Sequence, residues 1–258
     1  MKLHFRETGT GTPIIILHGL FGSSDNWQSF GKNLAENGCQ CVMVDLRNHG
    51  LSPHAEGFSV EEMAMDVKEL IEEKKLTGAI VMGHSLGGKT AMKLAELYPE
   101  LLSALIVIDI APRRYEVHHR EILDSLLEID FDAVKSRSEA EEILKKGIPD
   151  TGTRQFLMKN LYWKEKDKLG WRFNLKVLNE KIENVGERIS FATPFSKPTL
   201  FIKGENSNYI GYEDEREIFE MFSSVEIKTA PGAGHWVHAD NPSWLLEEVV
   251  DFINGTAK

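Results

Sequence analysis

The sequence predicts an α/β protein whose doubly wound, mostly parallel sheet is interrupted by one inserted helical cap. Three observations predict it. Short apolar runs rich in β-branched residues recur along the chain without polar alternation, as strands buried on both faces do. Helical patterns stand between these runs, and alternation of strand with helix is what a parallel sheet covered on both sides requires. One long stretch, residues 112–195, breaks the alternation.

Taken in order, Leu3 to Glu7 reads as an edge strand and Ile14 to Leu17 as the first buried strand. The helix Trp27 to Glu36, the strand Cys41 to Val44 and the helix Val60 to Glu72 follow. Next come the strand Ala79 to Met82, the helix Gly87 to Leu97 and the strand Ala104 to Ile110. From Pro112 to about Phe195 no convincing buried strand is present, whereas Glu116 to Ile129, Ser138 to Lys146 and Thr153 to Leu161 carry helical patterns. Residues 112–195 are therefore predicted to be a helical cap between two parts of one core, 1–111 and 196–258. The second part reads as strand Thr199 to Ile202, helix Asp214 to Phe222, strand Val225 to Ile227 and helix Trp244 to Ile253.

The 258 residues suit one large domain carrying an insertion. A net charge of -10 argues against nucleic acid and anionic lipid as partners, since both need a basic surface. No apolar run approaches a membrane span and the opening residues lack the apolar stretch of a signal peptide, so a soluble cytoplasmic protein is expected. Cys39 and Cys41, the two cysteines, lie two apart on one strand, where a mutual disulfide would be badly strained, and free thiols are expected.

The strongest chemical signal is Gly83-His84-Ser85-Leu86-Gly87, which falls between a predicted strand and a predicted helix. A sharp strand-to-helix turn exposes the serine hydroxyl, and glycines two before and two after let the backbone fold closely on itself. A serine hydroxyl needs a base, and the base needs a carboxylate to orient it. Among nine histidines, His235 follows the last predicted strand in the Gly-rich loop Pro231-Gly232-Ala233-Gly234, at the end of the sheet that carries Ser85. His84 sits inside the turn and His238 in the turn after His235, so both read as packing residues, while His118 and His119 fall on a cap helix. A base that must be neutral predicts activity falling below a pH of roughly 6 to 7. No histidine pair has metal-ligand spacing, and neither a metal nor a cofactor is predicted.

Two strand ends could supply the acid. Asp109 closes a strand so apolar that a carboxylate there demands a partner; Glu205, after the strand ending near Lys203, is the alternative. Ser207 would then assist by hydrogen bonding to His235 or Asp109. An oxyanion needs preorganised donors. Leu86 offers one amide at the helix start, and the loop His18-Gly19-Leu20-Phe21-Gly22 offers the other through Leu20, with Phe21 as the alternative. Phe21, Met158, Trp163, Trp171 and Phe173 are candidates for an acyl pocket, although Met and aromatic residues in a cap also serve as its own core. Asp45 and Arg47 are expected to pair beneath the site. Arg113 and Arg114 could meet a substrate phosphate at its entrance, pairing with cap carboxylates being the plainer reading.

These stretches together resemble the α/β-hydrolase superfamily over essentially the whole chain. Asp45-Leu46-Arg47-Asn48-His49-Gly50 with Ser52-Pro53, Met82 to Lys89, Asp109-Ile110-Ala111-Pro112 and Gly234 to Asp240 are similar to a narrower branch, the YbfF-type bacterial esterases and related mitochondrial abhydrolase-domain proteins. Trp171-Arg172-Phe173-Asn174-Leu175 looks similar as well. The resemblance implies a small-molecule acyl ester or acyl-CoA thioester as substrate. It also marks a departure: Ser207 occupies the place where the wider superfamily carries its acid, which shifts weight to Asp109. A carbon-carbon bond hydrolase with the same triad, or a non-catalytic binding member, are the alternatives on this fold. An aspartate-nucleophile dehalogenase or epoxide hydrolase is disfavoured by Ser85.

Overall fold

A computed structural model describes residues 1–116 and 119–256. Its strands are β1 (Phe5–Thr8), β2 (Thr12–Leu17), β3 (Cys39–Val44), β4 (Ala79–His84), β5 (Leu102–Ile108), β6 (Leu161–Glu165), β7 (Lys168–Trp171), β8 (Thr199–Gly204) and β9 (Val225–Ala230). Its helices are α1 (Gln28–Glu36), α2 (Val60–Lys74), α3 (Leu86–Leu97), α4 (Arg120–Leu127), α5 (Arg137–Gly147), α6 (Thr151–Met158), α7 (Leu175–Lys181), α8 (Tyr212–Met221), α9 (Val237–Asp240) and α10 (Pro242–Thr256).

The main sheet runs β1-β3-β2-β4-β5-β8-β9. β1 pairs antiparallel with β3, and the other neighbours are parallel. This is the mostly parallel, doubly wound sheet that the sequence predicts. Side chains alternate across a strand, so each strand feeds two cores. Ile15, Leu17, Val42, Val44, Val81 and Val107 face one side, which also takes in α2 and α3 residues. Ile14, Ile16, Cys41, Met43, Ile80 and Met82 face the other, against α1 and α10. Burial on both faces is why these runs read as continuous rather than alternating. Cys39 and Cys41 are both free and buried, and burial pushes the Cys41 thiol up to about 12, so it stays protonated.

Between β5 and β8 the chain leaves the sheet. The insertion contains α4 to α7, as a mainly helical segment should, but also an antiparallel hairpin of β6 and β7, with Leu161 opposite Trp171 and Trp163 opposite Leu169. The expectation of no buried strand there is corrected by β7, whose Leu169, Gly170 and Trp171 are buried. The strands are short and joined through the charged run Lys164 to Lys168, which hides their pattern. The predicted helix Glu116 to Ile129 is realised as α4, with Val117 and His118 lying outside the described residues.

Candidate active site

Ser85 links β4 to α3 at φ 52° and ψ −115°, a left-handed conformation that a non-glycine residue holds only at a cost of about 1–3 kcal/mol. The turn is fixed by its surroundings: the Ser85 amide donates to the Ile108 carbonyl at 3.0 Å, and the Lys89 amide donates to the Ser85 carbonyl at 3.0 Å. The glycines are required by space. A Cβ on Gly83 would stand 2.1 Å from the Gly87 carbonyl oxygen, and one on Gly87 would stand 2.3 Å from the Leu17 carbonyl oxygen. Any side chain at either position would push α3 off the sheet and open the turn.

Asp109 follows β5, fully buried and again at positive φ, 51°. Its amide donates to the Ile202 carbonyl at 2.7 Å, and its Oδ1 accepts the Gly204 amide at 2.9 Å. Its Oδ2 accepts from the Ser207 hydroxyl and lies 2.7 Å from His235 Nδ1. With Nδ1 donating to a carboxylate, the neutral ring keeps Nε2 as its proton-accepting nitrogen. Glu205 does something else: its Oε2 accepts the Gly232 amide at 2.7 Å, bracing the loop before His235. The structure thus brings together Asp109, Ser207 and His235 and leaves Glu205 outside the cluster. Tyr209 stacks on the His235 ring at 4.0 Å and 18°, and His84 Nε2 donates to the His235 carbonyl at 2.8 Å. Burial holds the His84 pKa well below the ordinary imidazole value, so it acts as a neutral donor.

The loop after β2 is held by two more buried histidines. His18 donates from Nδ1 to the Gly19 carbonyl at 2.8 Å and accepts the Leu46 amide on Nε2 at 3.0 Å. His49 donates from Nδ1 to the Arg47 carbonyl at 2.9 Å and accepts the Phe21 amide on Nε2 at 3.2 Å. Burial lowers the His49 pKa to about 3, which keeps it an acceptor. The Phe21 amide is therefore occupied, whereas the Leu20 amide has no hydrogen-bond partner among the described residues. Leu86 opens α3, where the first amides of a helix have no intrahelical acceptor. The expected Arg47–Asp45 pair is not made. Arg47 instead engages Asp66 at 2.6 Å and Glu62 at 2.9 Å, because α2 brings two carboxylates beside it. Asp45 accepts the Ser24 and Leu51 amides at 2.6 and 2.8 Å and pairs with His4 at 2.9 Å.

Ser85 and His235 line one cavity of about 440 Å³, which the insertion closes with Ile122 of α4 and Thr153, Phe156 and Leu157 of α6. Phe21 lines it. Met158, Trp163, Trp171 and Phe173 do not, and this corrects their assignment as an acyl pocket. Met158 is buried, Trp163 is half exposed on the hairpin, and Trp171 stacks on Phe173 at 5.3 Å, which in turn packs against Phe21 at 5.2 Å. Arg113 is held by Asp214 of α8 at 2.9 Å and lies over the Tyr115 ring, while Arg114 is exposed; neither lines this cavity. Among the described residues, no cluster of His, Cys, Asp and Glu could hold a metal ion, and no helix is long and apolar enough to cross a membrane.

A family model for the alpha/beta hydrolase fold matches residues 12–147. An esterase/lipase of Haemophilus influenzae is 39% identical over 98% of this chain and 87% of its own length. The esterase YbfF of Escherichia coli is 33% identical over 98% of this chain and all of its own length. The chain belongs to the α/β-hydrolase family. A solved marine microorganism esterase superposes on this hydrolase with a TM-score of 0.94 at 40% identity, covering 97% of this chain and 99% of that one.

Sequence reasoning missed several residues of the hydrolase's cavity. Tyr209, Phe156 and Trp236 are exposed to it, and Trp27 stacks on His238 at 4.5 Å along its edge. Thr153, Phe156 and Leu157 fall at i, i+3 and i+4, one face of α6, so the available signal was helical spacing rather than aromatic content. For Tyr209, two residues past Ser207 in a loop, no such signal exists.

Proposed function

We propose that this α/β-hydrolase is a serine hydrolase that cleaves carboxylic esters or acyl thioesters of small molecules through an acyl-enzyme on Ser85, with the insertion serving as its cap. The observation that carries the reading is the chain of contacts at one cavity. A strained serine turn opens into the same space as His235, whose Nδ1 is bonded to the buried Asp109. The esterase names of the relatives point to the same substrate class.

In this mechanism Nε2 of His235 takes the Ser85 proton as Oγ attacks the carbonyl carbon, and the carbonyl oxygen becomes an oxyanion. The amides of Leu20 and Leu86 stabilise that charge, a contribution of about 3–4 kcal/mol per donor in a related site. The imidazolium, stabilised by Asp109, then protonates the leaving oxygen or sulfur and the bond to it breaks. Water, deprotonated by His235, attacks the acyl carbon, and the bond to Ser85 Oγ breaks as His235 returns the proton to that oxygen, which releases the acid. Ser207 and the Gly204 amide share the Asp109 carboxylate and fix its direction. Ser85→Ala is expected to remove turnover of p-nitrophenyl esters almost wholly, by about 10⁶-fold on the scale of serine proteases. A fluorophosphonate should add its mass to the peptide containing Ser85. Folded Ser85→Ala protein with near-normal turnover would refute the proposal.

A further inference from the structure

This inference rests on the proposed serine hydrolase mechanism and concerns which end of the substrate goes where. Ser85 borders two unequal spaces. The large one, about 440 Å³, is lined by His235. Beside it, sharing Leu20, Ser85, His119 and Tyr209, is a cleft of about 50 Å³ that adds Leu86, Ile110, Ile182 and Val185. His235 does not line the cleft, and Leu86 does not line the large cavity.

The order of proton transfers makes this asymmetry chemical. The leaving atom receives its proton from His235, so the leaving group departs on the side that His235 lines. The carbonyl oxygen points at the amides of Leu20 and Leu86. The remaining substituent on the carbonyl carbon, the acyl chain, must then take the third direction, away from His235 and into the cleft. We infer that the cleft is the acyl subsite, so that the enzyme prefers short acyl groups and tolerates large leaving groups. A water needs at least about 10–15 Å³ of such space, so the cleft holds a few atoms, an acyl chain of about two to four carbons.

Lys89 borders the cleft but offers nothing to an acyl carboxylate. Its Nζ donates to the carbonyls of Pro112, Arg113 and Glu187 at 3.1, 2.6 and 2.7 Å, which uses all three ammonium hydrogens. Ile110, Ile182 and Val185 give the cleft an aliphatic floor, and Tyr115, Glu116, His119 and Tyr209 line the rest of it.

The test compares two ester series on the wild-type chain and on Val185→Ala, a partly buried position in a short helical turn. Along p-nitrophenyl acetate, butyrate and octanoate, kcat/KM should fall about tenfold or more between butyrate and octanoate. Replacing p-nitrophenol by 2-naphthol in the acetate should change it by less than about threefold, the larger cavity accepting both. Val185→Ala should raise the octanoate-to-butyrate ratio about tenfold. Ser85-dependent turnover that favours octanoate, or a ratio unmoved by Val185→Ala, would overturn the subsite assignment and leave the serine mechanism standing. Turnover that survives Ser85→Ala would overturn both.

Discussion

The two walls of the cavity are built differently. On the core side three non-glycine residues, Phe21, Ser85 and Asp109, stand at positive φ, and each is held by hydrogen bonds from neighbouring strands or from a buried histidine. On the insertion side Ile122, Phe156 and Leu157 project from regular helices, and none of the described residues of the insertion has a positive φ. Backbone strain is concentrated where single atoms must be aimed, and it is absent where a surface need only be apolar and the right shape. The difference separates strained loops at the ends of parallel strands from regular helices of the insertion, and the two are joined by hydrogen bonds such as that from Asn160 Nδ2 to the Phe21 carbonyl at 2.8 Å.

Kinetics can break that separation. After Ser85→Ala, the largest effect is expected from Asp109→Asn, which keeps shape but removes the charge that stabilises the imidazolium; kcat should fall by about 10⁴ on the scale of the serine-protease triad. Ser207→Ala removes one hydrogen bond to the same carboxylate, of order 1–3 kcal/mol, and should cost about ten- to a hundredfold. Glu205→Gln keeps an acceptor for the Gly232 amide and should cost least of the three. A severe loss in Glu205→Gln with a mild one in Asp109→Asn, measured as kcat on one ester, would return the acid to the loop after β8.

A smaller effect sharpens the same contrast through stability. Burial lowers the pKa of His49 to about 3 and of His238 to about 4, and both face the core side. Between those values and the ordinary imidazole value the unfolded chain binds protons that the folded chain refuses. Stability should therefore be fully present above about pH 6.5 and decline as pH falls toward 3 to 4. At pH 5 each of these histidines removes on the order of 2 kcal/mol at most. Urea unfolding at pH 7 and 5 reads the change, and His49→Gln should make it smaller; equal midpoints at both pH values would contradict the burial argument.

Much of the core was legible because its physics is local. Strands buried on both faces must be continuously apolar, and the Ser85 turn must carry glycines where a Cβ would collide. Asp109 was legible through cost: a carboxylate ending so apolar a strand requires partners, and the fold supplies the Gly204 amide, Ser207 and His235. What escaped depends on distant geometry. The partner of Arg47 is decided by how α2 docks, since Asp66 and Glu62 reach it before Asp45 can. In α6, Leu157 lines the cavity while Met158, one residue on, is buried without lining it, a rotation that composition cannot report. The hairpin of β6 and β7 escaped because its turn is charged and its strands are short.

The most direct test of the claim that the core loops alone perform the chemistry is to trap the intermediate. Rapid mixing with p-nitrophenyl acetate followed by acid quench and peptide mass analysis should find one acetyl group, on the peptide that contains Ser85, formed within the first turnover. In Asp109→Asn the same adduct should form far more slowly. An acetyl group on any other side chain, or turnover with no adduct and no burst of p-nitrophenol, would contradict the account.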